Sequence, residues 1–199
     1  MTEQLRIWAG LQGFLSLAAL IALALFFALA TPFGTEQQQW SWLGPVNDWL
    51  SVVGAVPWIV AMVLFTLRIQ AGVALWVFTI VACVGVAALA MVTLLMLGGL
   101  ADLQVQSLTA VPATVIAFAW VAVAAPAARA VAAIPPWVSV LAIALLVALL
   151  VGAAIAGIGY LTPANSTVHT TLYVIGAVVG GLAWFAFPSW WLAVASTAR

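Results

Sequence analysis

The sequence predicts an all-α, polytopic membrane protein, folded as a bundle of six transmembrane helices. Of its 199 residues, 68% are hydrophobic and only 4% are charged, whereas soluble domains carry about 25% charged residues. The apolar runs are longer than about twenty residues and do not alternate, which favours helices over the strands of a membrane barrel. The composition excludes a disordered chain, and a net charge of zero provides no basic surface for nucleic acid.

Six apolar segments alternate with turns rich in proline and glycine, and together they form a single transmembrane domain over residues 1–199. The predicted spans are residues 7–30, 46–69, 71–97, 105–125, 137–161 and 168–187, with an outer loop over residues 31–45. The first span would be about 36 Å long, enough to cross a bilayer. It exceeds the apolar core of a signal peptide, roughly 7–15 residues, so we expect a retained helix. Pro126 is expected to end the fourth helix.

The arginines predict the orientation of the bundle. With six spans, Arg6, Arg68, Arg129 and Arg199 all fall on one side. By the positive-inside rule, that side and both termini are cytoplasmic.

Aromatic residues are expected to form a belt at each membrane boundary, where amphipathic rings are enriched. The inner belt would hold Trp8, Trp137, Trp190 and Trp191, and the outer belt Trp40, Trp42, Trp49 and Tyr160.

Polar residues concentrate in the three outer connections, so any ligand-binding site is expected on the outer face. The candidate binding residues are Glu36, Trp40, Trp42, Asp48, Trp58, Asp102 and His169. The first outer loop carries too many aromatic rings to remain in water, so it is expected to fold over the mouth of the bundle as a lid, with Trp40 or Trp42 packed at the interface. Asp48, Asp102 and His169 would then approach one another. Trp58 lies deeper and would face either a neighbouring helix or a ligand.

Simpler structural roles compete with binding at these positions. Asp48 and Asp102 each lie near a predicted helix start, where a carboxylate can cap the helix. His169 is the only histidine and Cys83 the only cysteine, so neither a metal site nor a cofactor is predicted. No ionisable side chain falls in the middle of a span, which disfavours a proton pump or an ion-coupled carrier. The sequence therefore predicts a protein that is not an enzyme.

Small residues predict which helices pack closely. Gly176 and Gly180 are spaced by one turn in the sixth span, as are Gly152 and Ala156 in the fifth. Such small faces let helix backbones approach each other. The fifth and sixth helices are therefore expected to form a tight pair.

Two resemblances accompany these patterns. The segment from Leu43 to Asp48, with its Gly-Pro-x-Asn-Asp order, resembles a stretch found in uncharacterised bacterial multi-helix membrane proteins, which implies no function. The six-helix architecture with a long first outer loop is similar to the substrate-binding components of energy-coupling-factor vitamin transporters. In that comparison, Ala18 and Ala22 match the small-residue face used for docking.

Two functions remain open from the sequence. The first is a non-enzymatic binding or transport component with an outward-facing pocket for a small or amphipathic ligand. The alternative is a structural or assembly subunit of a larger membrane complex. The expected partners are membrane lipid with either such a ligand or partner membrane subunits. The lysine-free, alanine-rich composition favours a bacterial inner membrane as the location.

Overall fold

The structure is a computed structural model that describes residues 2–30, 38–164 and 166–198. Six α-helices contain most of these residues, and no strand occurs in the described ranges. The helices are α1 (Thr2–Leu25), α2 (Leu43–Arg68), α3 (Val73–Leu97), α4 (Leu103–Ala130), α5 (Pro136–Tyr160) and α6 (Thr167–Thr197). A π-helical turn, Phe26–Ala30, continues α1, and a short 3-10 turn, Gln38–Trp40, precedes α2. The predicted all-α class is confirmed.

All six helices are long and apolar enough to cross a membrane. The surface they leave exposed is apolar as well: on α3, for example, Val77, Val84 and Met91 all point away from the protein. Lipid tails can cover such a surface, whereas water cannot do so without a large cost. The chain is therefore a multi-pass membrane protein.

Two helices extend well past their predicted ends. The sequence placed the end of α4 before Pro126 and the end of α6 at Phe187, but α4 continues to Ala130 and α6 to Thr197. A proline removes one helical hydrogen bond. Ending the helix there would leave several backbone groups unpaired, which is the larger cost in an apolar environment. The assumption that Pro126 terminates α4 is therefore wrong.

The helices form a closed ring, because each packs against its neighbours in sequence and α1 also packs against α6. We call the two ends of the ring the terminal end and the long-loop end. The terminal end holds the start of α1, the end of α6 and the short α2–α3 and α4–α5 connections. The long-loop end holds residues 38–42 and the α3–α4 and α5–α6 connections. Arg6, Arg68 and Arg129 all lie toward the terminal end.

A cluster of seven aromatic side chains fills the ring on the terminal side. This aromatic cluster consists of Trp58, Phe65, Phe118, Trp120, Phe187, Trp190 and Trp191. Its rings contact one another with centroid separations from 4.4 Å, between Phe118 and Phe187, to 6.5 Å, between Phe187 and Trp191. Trp190 and Trp191 are fully buried here, so their predicted place in the inner belt is wrong. The belt argument fails because α6 continues past them, which leaves both rings inside the bundle.

A buried polar contact joins three helices beside the aromatic cluster. The hydroxyls of Thr66 on α2 and Thr79 on α3 lie 2.9 Å apart. The indole N–H of Trp120 on α4 donates to the Thr79 hydroxyl over 2.8 Å. Hydrogen bonds between helices are enriched where water is absent. This contact fixes the relative rotation of α2, α3 and α4.

The predicted tight pairing of α5 and α6 is confirmed at backbone level. A Cβ atom added to Gly152 would lie 2.7 Å from Cα of Gly180 and 2.8 Å from the carbonyl oxygen of Gly176. One added to Gly176 would lie 2.5 Å from the backbone nitrogen of Ala156. All three distances are shorter than real Cβ contacts, so only glycine allows this approach.

Candidate functional site

A cavity of about 650 Å³ occupies the ring on the side of the long-loop end. Helices α1 to α4 form its walls, together with the segment of α6 from Gly181 to Pro188. Trp58 and Phe187, which belong to the aromatic cluster, form its floor, so the cavity does not continue toward the terminal end. Cavities of roughly 300–1,000 Å³ hold drug-sized ligands in other proteins. The volume is therefore sufficient for a small organic molecule.

Four polar side chains from three helices meet near the long-loop end of the cavity. Asn47 donates from Nδ2 to Oδ1 of Asp48 over 3.1 Å, and the amide of Gln106 also hydrogen-bonds to this carboxylate. Gln106 donates from Nε2 to the hydroxyl of Thr93 over 3.2 Å. All four side chains line the cavity. We call this group the polar mouth.

The deep part of the cavity contains two polar groups without partners. Gln12 on α1 is only 1% exposed and donates from Nε2 to Ser16 over 2.8 Å, but its Oε1 has no hydrogen-bond partner. Trp58 on α2 is 9% exposed, and its indole N–H is also unpaired. Gly54, one helical turn before Trp58 on α2, lies close to this oxygen: a Cβ added to Gly54 would be 3.7 Å from Oε1 of Gln12. Unpaired buried groups are costly and rare in native proteins.

The π-helical turn at the end of α1 shapes one wall. Consecutive residues of an α-helix point about 100° apart, yet Phe26 and Phe27 both line the cavity. The wider π-helical turn, Phe26–Ala30, begins at this pair. Their rings pack edge to face at 5.6 Å, and Phe26 lies against Gly44 of α2. Such turns are frequently found at functional sites.

Of the six predicted binding residues that the structure describes, two line this cavity, Asp48 and Trp58. Because α2 begins at Leu43, Asp48 lies in the second helical turn and does not cap the helix. Trp40 and Trp42 are 36% and 52% exposed and do not line the cavity. Neither ring is buried, and residues 31–37 of the loop lie outside the described residues, so the lid stays a prediction.

The other predicted residues have different surroundings. Asp102 accepts a 2.8 Å hydrogen bond from the backbone N–H of Val105, so its capping role is confirmed. His169 lies in the first turn of α6, with Nδ1 2.9 Å from the carbonyl oxygen of Gly159. Neither residue lines the cavity. Glu36 lies outside the described residues, within which no group of three His, Cys, Asp or Glu side chains could hold a metal ion.

Among the polar cavity residues that the sequence analysis did not identify are Gln12 and Gln106. Each is a long amide side chain on a largely apolar helix, and that contrast was the available signal. A hydrogen bond within α1 accounts for Nε2 of Gln12 but not for its Oε1. Gln106 lies one turn inside α4, close to a predicted outer connection.

The fold and the cavity together define a class: a multi-pass membrane protein with an internal, mainly apolar chamber. No family model, curated protein or solved structure matches the chain. Its function therefore has to be inferred from the chamber itself.

Proposed function

We propose that this protein is a non-enzymatic membrane component that binds, or helps to transport, a small amphipathic ligand. The ligand would occupy the cavity that α1 to α4 and the α6 segment from Gly181 to Pro188 line. The observation that carries the proposal is an apolar chamber with polar groups at both its mouth and its floor. Apolar walls with a few placed polar groups are the usual composition of a ligand site. Two buried groups at the floor, on Gln12 and Trp58, lack partners that a ligand could supply.

The proposal predicts that filling the cavity abolishes binding. Ala90 lines the cavity, whereas Ala88 on the same helix is exposed on the outer surface. Ala90→Phe should remove saturable binding of Nile red, a neutral solvatochromic dye, because the new ring occupies the ligand volume. Ala88→Phe should bind the dye as the unmodified protein does. Fluorescence titration of each protein in lipid nanodiscs measures both.

Both variants add the same side chain to the same helix, so general effects on α3 or on the surrounding lipid cancel. Empty nanodiscs give the dye signal due to lipid alone. Equal saturable binding by the two variants, or none by the unmodified protein, contradicts the proposal.

The proposed orientation places the polar mouth outside the cell and both termini in the cytoplasm, in a bacterial inner membrane. Support comes from Arg6, Arg68 and Arg129, which share the terminal end as the positive-inside rule requires of a cytoplasmic face.

Orientation can be tested by labelling single cysteines in a Cys83→Ser background. Gln104 and Ala164 are exposed near the long-loop end, and Val131 is exposed near the terminal end. An impermeant maleimide applied to intact cells should label Gln104→Cys and Ala164→Cys but not Val131→Cys. Permeabilised cells should label all three, which controls for reactivity. Labelling of Val131→Cys alone in intact cells would show that the protein has the opposite orientation.

A structural or assembly subunit is the second candidate. The α5–α6 hairpin favours it, because the half of α6 nearest the long-loop end is largely exposed outside its contact with α5. Tyr173, Val174 and Val178 are each more than half exposed. Exposed apolar helix faces suit either lipid or a partner helix. Failure of the Ala90→Phe test would leave this candidate as the better supported one.

A further inference from the structure

Among the residues that the structure describes, the cavity is lined by one acidic side chain and by no basic one. Among the lining residues only Asp48 carries a formal charge, and the nearest polar groups are the amides of Asn47 and Gln106 and the hydroxyl of Thr93. A ligand group with donor hydrogens and positive charge complements a carboxylate in this position. An anionic headgroup would meet the carboxylate with no cation to offset the repulsion.

The floor has a different requirement. Oε1 of Gln12 needs a donor and the indole N–H of Trp58 needs an acceptor, and both atoms have almost no accessible surface where they lie. A hydroxyl group is donor and acceptor at once, so it can satisfy both kinds of group when the two side chains rotate toward the cavity that they line. Asp48 and Trp58 are ten residues apart on α2, which corresponds to about 15 Å along the helix. The stretch between the two ends is mainly apolar, and Ser51 within it already donates to the carbonyl oxygen of Asn47.

The lining of the cavity is uneven around the ring. Helices α1 to α4 line it near the long-loop end, whereas the described lining residues include none from α5 and none from α6 before Gly181. The α5–α6 hairpin therefore contributes to the wall only through its segment from Gly181 to Pro188. The outer surface of the surrounding helices is apolar, which suits a ligand that reaches the cavity from the bilayer.

Building on the proposed function, we infer that the ligand is a cationic amphiphile from the bilayer. Its protonated amine binds at Asp48, an elongated apolar body fills the chamber, and a hydroxyl at the far end pairs with Gln12 and Trp58.

Three probes of equal chain length separate the two polar contacts. They are 12-aminododecan-1-ol, which carries both groups, dodecylamine, which has only the amine, and dodecanol, which has only the hydroxyl. Each is titrated against Nile red bound to the protein in nanodiscs. The Ala90→Phe variant serves as the blank for partition into lipid. We expect 12-aminododecan-1-ol to displace the dye at the lowest concentration.

Two substitutions should act on different probes. Asp48→Asn keeps the shape of the side chain, removes its charge and replaces one acceptor oxygen with a donor amide. It should weaken binding of the two amines by about ten- to a hundredfold, the effect of losing a hydrogen bond to a charged group, and leave dodecanol unchanged. Trp58→Phe should weaken the two alcohols and leave dodecylamine unchanged. Asp102→Asn, at a helix cap outside the cavity, should change none of them.

The outcomes distinguish the inference from the function on which it rests. The inference is overturned if dodecylamine and dodecanol displace the dye at equal concentrations, or if Asp48→Asn weakens binding of all three probes equally. In either case, saturable dye binding would still support the proposed function. Absence of saturable dye binding overturns both. If Asp48→Asn does not fold, the comparison of the three probes on the unmodified protein still decides whether the amine is preferred.

Discussion

Truncation of Trp191 to alanine is expected to lower the free energy of unfolding by about 3–5 kcal/mol, the cost typical of removing a large buried aromatic ring. The Trp191 ring stacks on Trp120 at 6.1 Å and meets Trp190 at 4.7 Å. Removing the ring would leave a void inside the bundle, which lipid tails cannot reach, so the packing energy of these contacts would be lost. Titration with a denaturing detergent, followed by circular dichroism, measures the change.

Phenylalanine substitutions at two adjacent positions provide an internal comparison. The indole N–H of Trp191 has no partner, whereas that of Trp190 donates to the carbonyl oxygen of Val138 over 3.1 Å. Trp191→Phe therefore removes an unpaired donor, whereas Trp190→Phe removes a hydrogen bond that contributes about 0.5–1.5 kcal/mol, although the Val138 carbonyl keeps its partner within α5. Trp190→Phe should be the less stable of the two. The reverse order would mean that the Val138 contact contributes nothing.

The second large effect is expected at the α5–α6 contact. Gly152→Ala should destabilise the protein by about 3 kcal/mol, at the upper end of the range for overpacking. The added methyl group overlaps the backbone of Gly180 and Gly176, which cannot rotate away as a side chain would. Thermal unfolding in mild detergent gives the change in stability.

Gly157→Ala is the matched control on the same helix. A Cβ at Gly157 meets no atom within 4 Å, so only the gain in helix propensity remains, about 0.5–1 kcal/mol in favour of alanine. The two substitutions should therefore shift stability in opposite directions. A gain in stability for Gly152→Ala as well would show that α5 and α6 can separate without loss.

The sequence was sufficient to predict the positions of the helices, but not which side chains and cavity fill the interior of the helical ring. Hydropathy sets the positions of the spans, because every backbone group in lipid must be paired within its own helix. The pairing of α5 and α6 was also predictable, since small residues at one-turn spacing act locally. Within that pair, the sequence did not show which glycines exclude a Cβ atom. A Cβ would clash with backbone at Gly152 and Gly176 but would fit at Gly180. That difference depends on helix rotation, which tertiary packing decides.

The site was harder to predict because its residues are distant in sequence and chemically mild. Asp48 was interpreted as a cap from its nearness to the start of α2, but the helix begins earlier, at Leu43. Gln12 is ordinary in sequence, and its unpaired oxygen becomes visible only when α1 packs against α2. Trp190 and Trp191 look like boundary residues until α6 is seen to continue beyond them.

The aromatic cluster has a consequence for how material can move through the protein. Its seven rings fill the interior on the terminal side, and the described cavity lining ends at Trp58 on α2 and at Pro188 on α6. A molecule in the cavity can pass to the terminal side only if several of these rings repack together. The barrier to that repacking would set the rate of movement across the membrane, and an energy source would be needed only for movement against a concentration gradient.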